Sequence, residues 1–403
     1  MKDKILFLFT AEFPFGNGEP YIENEIDYLA ATFKQVHIFT RNYGDGVMRN
    51  VPDNCEVHSM PKPSNKIDIR SLYASTLWDE IILNGRKNVN RVKVAIKSYS
   101  IALQYYRYIQ EQVKLNEENI SIVFYSYWLD DVAIALALIR KNSNRYFCVA
   151  RAHGWDVYDY RHAFNYLPFR KFLNKKLSKI ACISQNGSEY FAQKGVNNTA
   201  VFRLGTLQVS PPNFISNNSF FTIISIAALI PLKRIGLLID ALSILSTKSI
   251  SFKWIHIGSG PLENDILRKA QQLNEKQYLF LGQKSNKEVK NILNERQDNS
   301  VLINVSETEG LPVTLMEAMS FGIPCIGTAV GGVSEIIEND INGKLIPSNP
   351  TALEVSSTIE NYISLPQEIK IKWRKAAYQT WQNKFDANKN YDEFTRFIFE
   401  SKS

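Results

Sequence analysis

Two Rossmann-like αβα domains in tandem, an α/β fold with the domains facing across a cleft, are what this sequence predicts. Three observations carry the prediction. The chain has 403 residues, and one domain takes roughly 100–200. Short β-branched or aromatic runs alternate with helical patterns almost throughout, as parallel sheets covered by helices on both faces require. A polar segment near the middle, Ser210 to Ser219, sets two prolines among Asn and Ser, which is linker chemistry.

The elements follow in order. In the first half strands are expected at 4–10, 35–41, 121–127, 146–152, 179–184 and 199–204. Helices between them include 20–32, 130–142 and 185–194. In the second half strands are expected at 220–229, 251–257, 278–282, 301–306 and 324–329. The helices there are 234–248, 261–274, 286–294 and 312–321, and the end from Ser364 reads as wholly helical. The domains are then 1–207 and 208–383.

Composition narrows the class. A chain with 45% hydrophobic and 22% charged residues is ordinary for a globular protein. Cys55, Cys148, Cys182 and Cys325 form no C-x-x-C pair and read as buried reduced thiols. The apolar run Ile5 to Phe9 is too short for a signal core, and no run approaches the ~18 apolar residues of a membrane span. A cytoplasmic protein is expected, with any membrane contact at the surface. The net charge of +7 lies in the first half, where residues 1–207 hold 27 Lys/Arg against 20 Asp/Glu; residues 208–403 hold 20 of each. A basic half favours an anionic partner.

In open sheets of this kind ligands bind beyond the carboxyl ends of strands, so residues just after strands matter. Gly16 and Gly18 lie between the first strand and a helix starting near Pro20. Amides there can approach a phosphate closely; a plain tight turn is the alternative. Arg151-Ala-His153-Gly-Trp-Asp156 ends another strand. His153 there offers a hydrogen bond to a sugar or phosphate, or one to the backbone. His37, His58, His162 and His256 have no comparable setting and read as structural or surface. Lys233-Arg234 precedes a helix in the second domain, where charge and dipole both favour a diphosphate.

The most specific stretch is Glu309-Gly310-Leu311-Pro312, with Glu317 following. Glu309 precedes a helix and Glu317 lies inside it. Gly310 and Leu311 amides flank an anion site, and carboxylates accept from sugar hydroxyls. Gly331-Gly332 adds another glycine pair, which fits a close backbone approach or a structural turn.

These motifs together resemble glycosyltransferase family 4, in particular its bacterial polysaccharide-type members. The matches are Glu309-x7-Glu317 with Gly-Leu-Pro, Gly331-Gly332-Val-x-Glu335, Ile257-Gly-Ser-Gly260-Pro, His153-Gly-Trp-Asp156 and the opening glycine loop. The resemblance implies the GT-B fold, with a last helix, about 384–403, crossing back to the first, acceptor-side domain. It implies retaining, hexosyltransferase-type transfer from a nucleoside-diphosphate sugar to a glycan or lipid-linked acceptor, usually without a metal or other cofactor. It implies that Glu309 contacts the donor sugar, that Gly310 and Leu311 lie near the sugar or phosphate, and that Glu317 holds the ribose. Lys233 would hold the diphosphate, and His153 would face the sugar from the first domain. The family's usual arginine before the lysine is Ala228 here, which Arg234 would have to replace.

No Asp-x-Asp triplet occurs, in keeping with a metal-independent site. A double displacement needs a carboxylate on the opposite ring face, and none is evident. Front-face attack is therefore expected. Two basic, aromatic runs, Arg86 to Tyr108 and Arg161 to Lys179, suit either an anionic membrane surface or solvated helix faces. The rival readings are a nucleotide-sugar epimerase of the same architecture and a non-catalytic glycan-assembly protein. A dehydrogenase would need G-x-G-x-x-G after a first strand. Nucleic acid as partner leaves Glu309 and Glu317 unexplained.

Overall fold

A computed structural model describes residues 4–16, 18–42, 46–64, 66–85, 88–115, 121–214, 220–248 and 250–401. Residues 215–219 of the expected linker, and Arg86 and Lys87 of the first basic run, lie outside these. The chain divides into two compact units, Met1–Arg203 with Lys389–Ser403, and Leu204–Asn388.

The first unit is built on a parallel sheet of seven strands. They are β1 (Lys4–Thr10), β2 (Gln35–Thr40), β3 (Cys55–Ser59), β4 (Ser121–Ser126), β5 (Phe147–Ala152), β6 (Lys179–Cys182) and β7 (Thr199–Val201), in spatial order β3-β2-β1-β4-β5-β6-β7. Helices α1 (Ile22–Thr32), α2 (Ser75–Glu80), α3 (Val89–Leu115), α4 (Asp131–Asn142), α5 (Gly154–Val157), α6 (Arg170–Lys176) and α7 (Gln185–Gln193) join them. β1 is buried from Ile5 onward, as a strand covered on both faces must be. The sequence signals act locally as expected. Asp130 caps α4 through the Val132 amide, and Ser184 caps α7 through the Gly187 amide.

The second unit has six parallel strands. They are β8 (Phe221–Ile226), β9 (Phe252–Ile257), β10 (Tyr278–Phe280), β11 (Ser300–Asn304), β12 (Cys325–Thr328) and β13 (Gly343–Ile346), ordered β10-β9-β8-β11-β12-β13. Its helices are α8 (Ile235–Ser246), α9 (Glu263–Ala270), α10 (Asn286–Glu295), α11 (Val313–Ser320), α12 (Val333–Ile336), α13 (Ala352–Ile363) and α14 (Gln367–Lys384). A last helix, α15 (Ala387–Glu400), sets Phe394 and Ile398 in one cluster with Phe202 and Tyr125 of the first unit. In both sheets the strand order reverses direction once, between β1 and β4 and between β8 and β11. Such a reversal opens a crevice at the strands' carboxyl ends.

Three features refine the expected elements. β3 and β13 escape a hydrophobicity scan because they are short, polar edge strands. The 27-residue α3 takes up the first basic run and buries Ala95, Tyr99, Ala102, Tyr105, Ile109 and Val113 at helical spacing. The C-terminal stretch is helical as expected, in two helices, α14 and α15. It breaks after Lys384, where Thr206 pairs with Asp386. The Thr206 amide donates to the Phe385 carbonyl at 2.9 Å, and the Trp381 indole donates to the Thr206 hydroxyl at 2.8 Å. Gly205 permits this approach, because a Cβ there would lie 2.4 Å from the Ala387 Cα.

Candidate functional site

In the second unit the crevice between β8 and β11 is where the most specific motif falls. The segment after β8 ends in a short turn, Pro231–Lys233, and α8 follows. The segment after β11 runs through Glu309 into α11. The Lys233 ammonium donates to Glu309 Oε1 at 2.6 Å, joining the two loops across the strand reversal. Asn304 Nδ2 donates to the same oxygen at 3.1 Å. Burial raises the Glu309 pKa, but Lys233, Ser306 and Asn304 outweigh it and hold the group below its ordinary value. Glu309 is therefore a fixed negative charge in a buried place.

The amides beside it are unspent. Gly310 N and Leu311 N donate to no protein acceptor among the described residues. Pro312 starts α11 without a side-chain cap, whereas α10 and α13 carry the caps Ser285 and Thr351. The Thr308 hydroxyl is buried without a hydrogen-bond partner among the described residues. These donors converge on a helix N-terminus, the arrangement that holds an anion. The loop is rigid from below: Glu307 N donates to Leu232 O at 2.8 Å and Thr328 Oγ1 to Ser306 O at 2.6 Å.

Glu317 lies on α11, 8% exposed, and no protein donor among the described residues reaches its carboxylate. Burial pushes its pKa to about 7, opposed only in part by Lys290. Lys290 comes from α10, and nothing in the sequence marked it.

Arg234 corrects an expectation. It adopts the left-handed conformation (φ 46°) and its guanidinium is committed to carbonyls. It donates to Val305 O at 2.6 Å and to Ser306 O and Ser348 O at 2.9 Å. Arg234 therefore braces the β11–α11 loop and does not stand in for the cation missing at Ala228. The glycine pair resolves toward packing. A Cβ on Gly331 would lie 1.9 Å from Glu309 O, and one on Gly332 would lie 2.4 Å from Gly310 O. The pair lets the turn after β12 lie directly on the Glu309 loop.

In the first unit the crevice lies between β1 and β4, and the amides just after β1 are taken up by the protein itself. Glu19 accepts from the amides of Ala11 (2.8 Å), Glu12 (2.7 Å) and Phe13 (2.8 Å), and from Trp128 Nε1 at 2.6 Å. The Gly18 amide donates to Glu12 Oε2 at 2.9 Å, and a Cβ there would lie 2.3 Å from that oxygen. The expectation that this glycine loop offers free amides to a phosphate is thus corrected at Gly18. Gly16 is needed for its φ of 64°. Arg49 clamps the loop through Gly18 O (2.7 Å) and Glu23 (2.8 Å), a contact without a sequence signal.

His153 follows β5, 7% exposed, and neither ring nitrogen has a hydrogen-bond partner among the described residues. Its ring packs on Tyr127 and Trp128, with centroids 4.9 and 4.5 Å away. Burial and the Arg151 cation lower its pKa well below the usual imidazole value, so it is neutral. Asp156 accepts from the His153 amide and from Leu129 N at 2.7 Å, fixing the turn. Arg151 is fully buried, paired with Glu25 at 2.8 Å and with the Tyr125 hydroxyl at 2.6 Å.

The two basic runs are mixed: Val89 and Phe164 are exposed, but not every aromatic is. Tyr99, Tyr105 and Phe169 are core residues, and Arg170 is spent on Leu129 O and Asp156 O. Outside these runs, Ile67, Ile69, Tyr73, Trp78 and Leu83 are also exposed. Among the described residues no helix is long and apolar enough to cross a membrane.

Comparison with known proteins bears on this geometry. Residues 211–380 match the family profile of glycosyl transferases group 1. The amylovoran biosynthesis glycosyltransferase AmsK of Erwinia amylovora is 33% identical over 130 residues, covering 31% of this chain and 32% of that protein. The chain spans 27% to 38% of the length of the curated relatives it matches at 32% to 36% identity. Among solved structures, sucrose-phosphate synthase from Thermosynechococcus elongatus aligns over 98% of both chains, with a TM-score of 0.71 and 13% identity. Anabaena HepE in complex with UDP and glucose aligns over 99% of this chain and 100% of its own, with a TM-score of 0.63 and 17% identity. Residues 211–380 are thus similar to the group 1 glycosyl transferases, and the two doubly wound units have the GT-B fold.

Proposed function

We propose that the protein is a retaining, hexosyltransferase-type glycosyltransferase. It moves a sugar from a nucleoside-diphosphate sugar to a glycan or lipid-linked acceptor in cell-surface polysaccharide biosynthesis, without a metal or other cofactor. One observation carries the reading: Lys233 and Glu309 meet across the β8–β11 reversal beside the unspent amides of Gly310 and Leu311. A cation, a helix start and a fixed carboxylate in one buried place suit a sugar diphosphate.

Breaking the sugar–phosphate bond builds positive charge on the ring and negative charge on the leaving phosphate. Donors already aimed at the leaving group are the most effective help a protein offers. Lys233 and the Gly310 and Leu311 amides take the diphosphate. Glu309 accepts from a sugar hydroxyl, and Glu317 accepts from the ribose. In the first unit, His153 has two buried nitrogens to offer to a sugar hydroxyl. No carboxylate is assigned as nucleophile, so attack comes from the leaving-group face and the departing phosphate takes the acceptor's proton.

A thermal-shift screen of nucleotide sugars identifies the donor, and a transfer assay with it reads the anomer formed. Retention of configuration is the expected outcome; inversion removes the front-face mechanism. Conversion of the donor without any acceptor favours an epimerase. Donor binding with neither hydrolysis nor transfer favours a non-catalytic assembly role. We also place the protein in the cytoplasm, peripherally on an anionic membrane. Exposed Ile67, Ile69, Tyr73, Trp78 and Leu83, the last lining one hollow with Lys171 and Lys175, support that. Sedimentation with anionic vesicles at low salt, lost in Trp78→Ser with Leu83→Ser, is the expected result; no pelleting at low salt counts against it.

A further inference from the structure

His37 and His58 read from sequence as unremarkable, yet the fold brings them together. His37 lies on β2, and the parallel register sets it opposite Glu56 on the edge strand β3. His58 is two residues beyond Glu56, on the same face of that strand. His37 Nδ1 lies 2.8 Å from His58 Nε2, and Glu56 carboxylate oxygens lie 3.5 and 3.7 Å from those nitrogens. All three potential ligand atoms fall within 4.8 Å of one another.

The geometry points to a binding site for one divalent transition-metal ion of the zinc class, held by His37, Glu56 and His58. Two imidazoles and a carboxylate are a ligand set such ions take, with water in the remaining position. Glu56 is 56% exposed on its side chain, so water reaches that position. The rings are already oriented: His58 stacks on Phe39 with centroids 4.8 Å apart, and His37 meets the edge of Phe7 at 5.2 Å. The two nitrogens touch as a hydrogen-bonded pair at 2.8 Å. Spreading them by roughly 0.5 Å puts both about 2.1 Å from a shared tetrahedral ion. His58 is only partly buried and is free to supply that movement.

The place gives the ion a consequence. It would staple edge strand β3 to β2, and the connection between these strands carries Arg49, which clamps the Gly16–Gly18 loop. Without the ion, one proton between the rings makes the same contact more weakly.

The test uses the full chain, stripped with a chelator and titrated with zinc against a chromophoric competitor. One equivalent is expected to bind and to raise the melting temperature. Cobalt in its place is expected to give the visible bands of tetrahedral coordination. His58→Ala and Glu56→Ala lie at the surface side of the cluster, and circular dichroism checks their folding. Each is expected to weaken binding at least tenfold and to lose the thermal shift. Wild-type protein that takes up no zinc, or variants that bind it as tightly as wild type, overturns the site and leaves a hydrogen-bonded histidine pair.

Discussion

The two strand reversals are built alike and used differently. At β1–β4 the amides after the strand are closed by the protein's own carboxylate, Glu19, with Trp128 completing its set of donors. At β8–β11 the corresponding carboxylate, Glu309, is held by Lys233 and Asn304, and the next amides stay open. A doubly wound sheet thus supplies a potential anion site at each reversal, and the side chains decide whether it is spent internally. At the second reversal the Gly310 and Leu311 amides remain without an acceptor among the described residues.

The largest expected effect is at the open reversal. Glu309→Ala or Lys233→Ala is expected to cut transfer by roughly 10²–10³-fold or more while circular dichroism stays unchanged. Near-wild-type turnover in either variant breaks the assignment. At the closed reversal Glu19→Ala leaves three amides and an indole N–H without their acceptor. Each such loss costs about 1–3 kcal/mol, so a fall in stability of roughly 3 kcal/mol or more is expected in urea titration. Added sulfate is expected to restore part of it by replacing the carboxylate. An unchanged midpoint would show that the loop does not depend on Glu19.

Glu317 sharpens the comparison through pH. Its folded pKa of about 7 lies above the ordinary 4.5. Between these values the unfolded chain gives up the proton first, so folded stability falls as pH rises from about 4.5 to about 7 and is level above. The cost is of order 3 kcal/mol at most. Glu317→Gln is expected to gain stability at pH 8, gain none at pH 4, and bind nucleotide more weakly. A pH-independent difference would remove the burial argument. Smallest is Arg234→Ala, which loosens the loop without removing a ligand contact. A stability loss of about 1–2 kcal/mol and a several-fold drop in transfer are expected, far from the effect of Lys233→Ala.

The site was legible in part, and the division has a physical cause. Pro312 before an apolar run, a glycine just ahead of it and acids at set spacing are local signals, and the chain places them at a helix start as expected. Arg234 misled because a cation next to Lys233 has no sequence mark for being turned into carbonyls by a left-handed backbone. Gly18 misled for a related reason: the anion its amide meets is Glu12, from its own loop. Tyr99 and Tyr105 beside lysines looked like a surface until α3 turned them inward.

Alternating apolar runs determined the two α/β units by themselves, because burial on both faces of a parallel strand is written along the strand. The motif around Glu309 and Glu317 determined where a helix start with open amides lies, because helix starts are local. Only the tertiary structure decided which amides remain open, that Arg234 is a brace, and that His37, Glu56 and His58 meet. Those outcomes depend on residues tens of positions apart arriving at one place, and register and packing set that arrival, not local sequence.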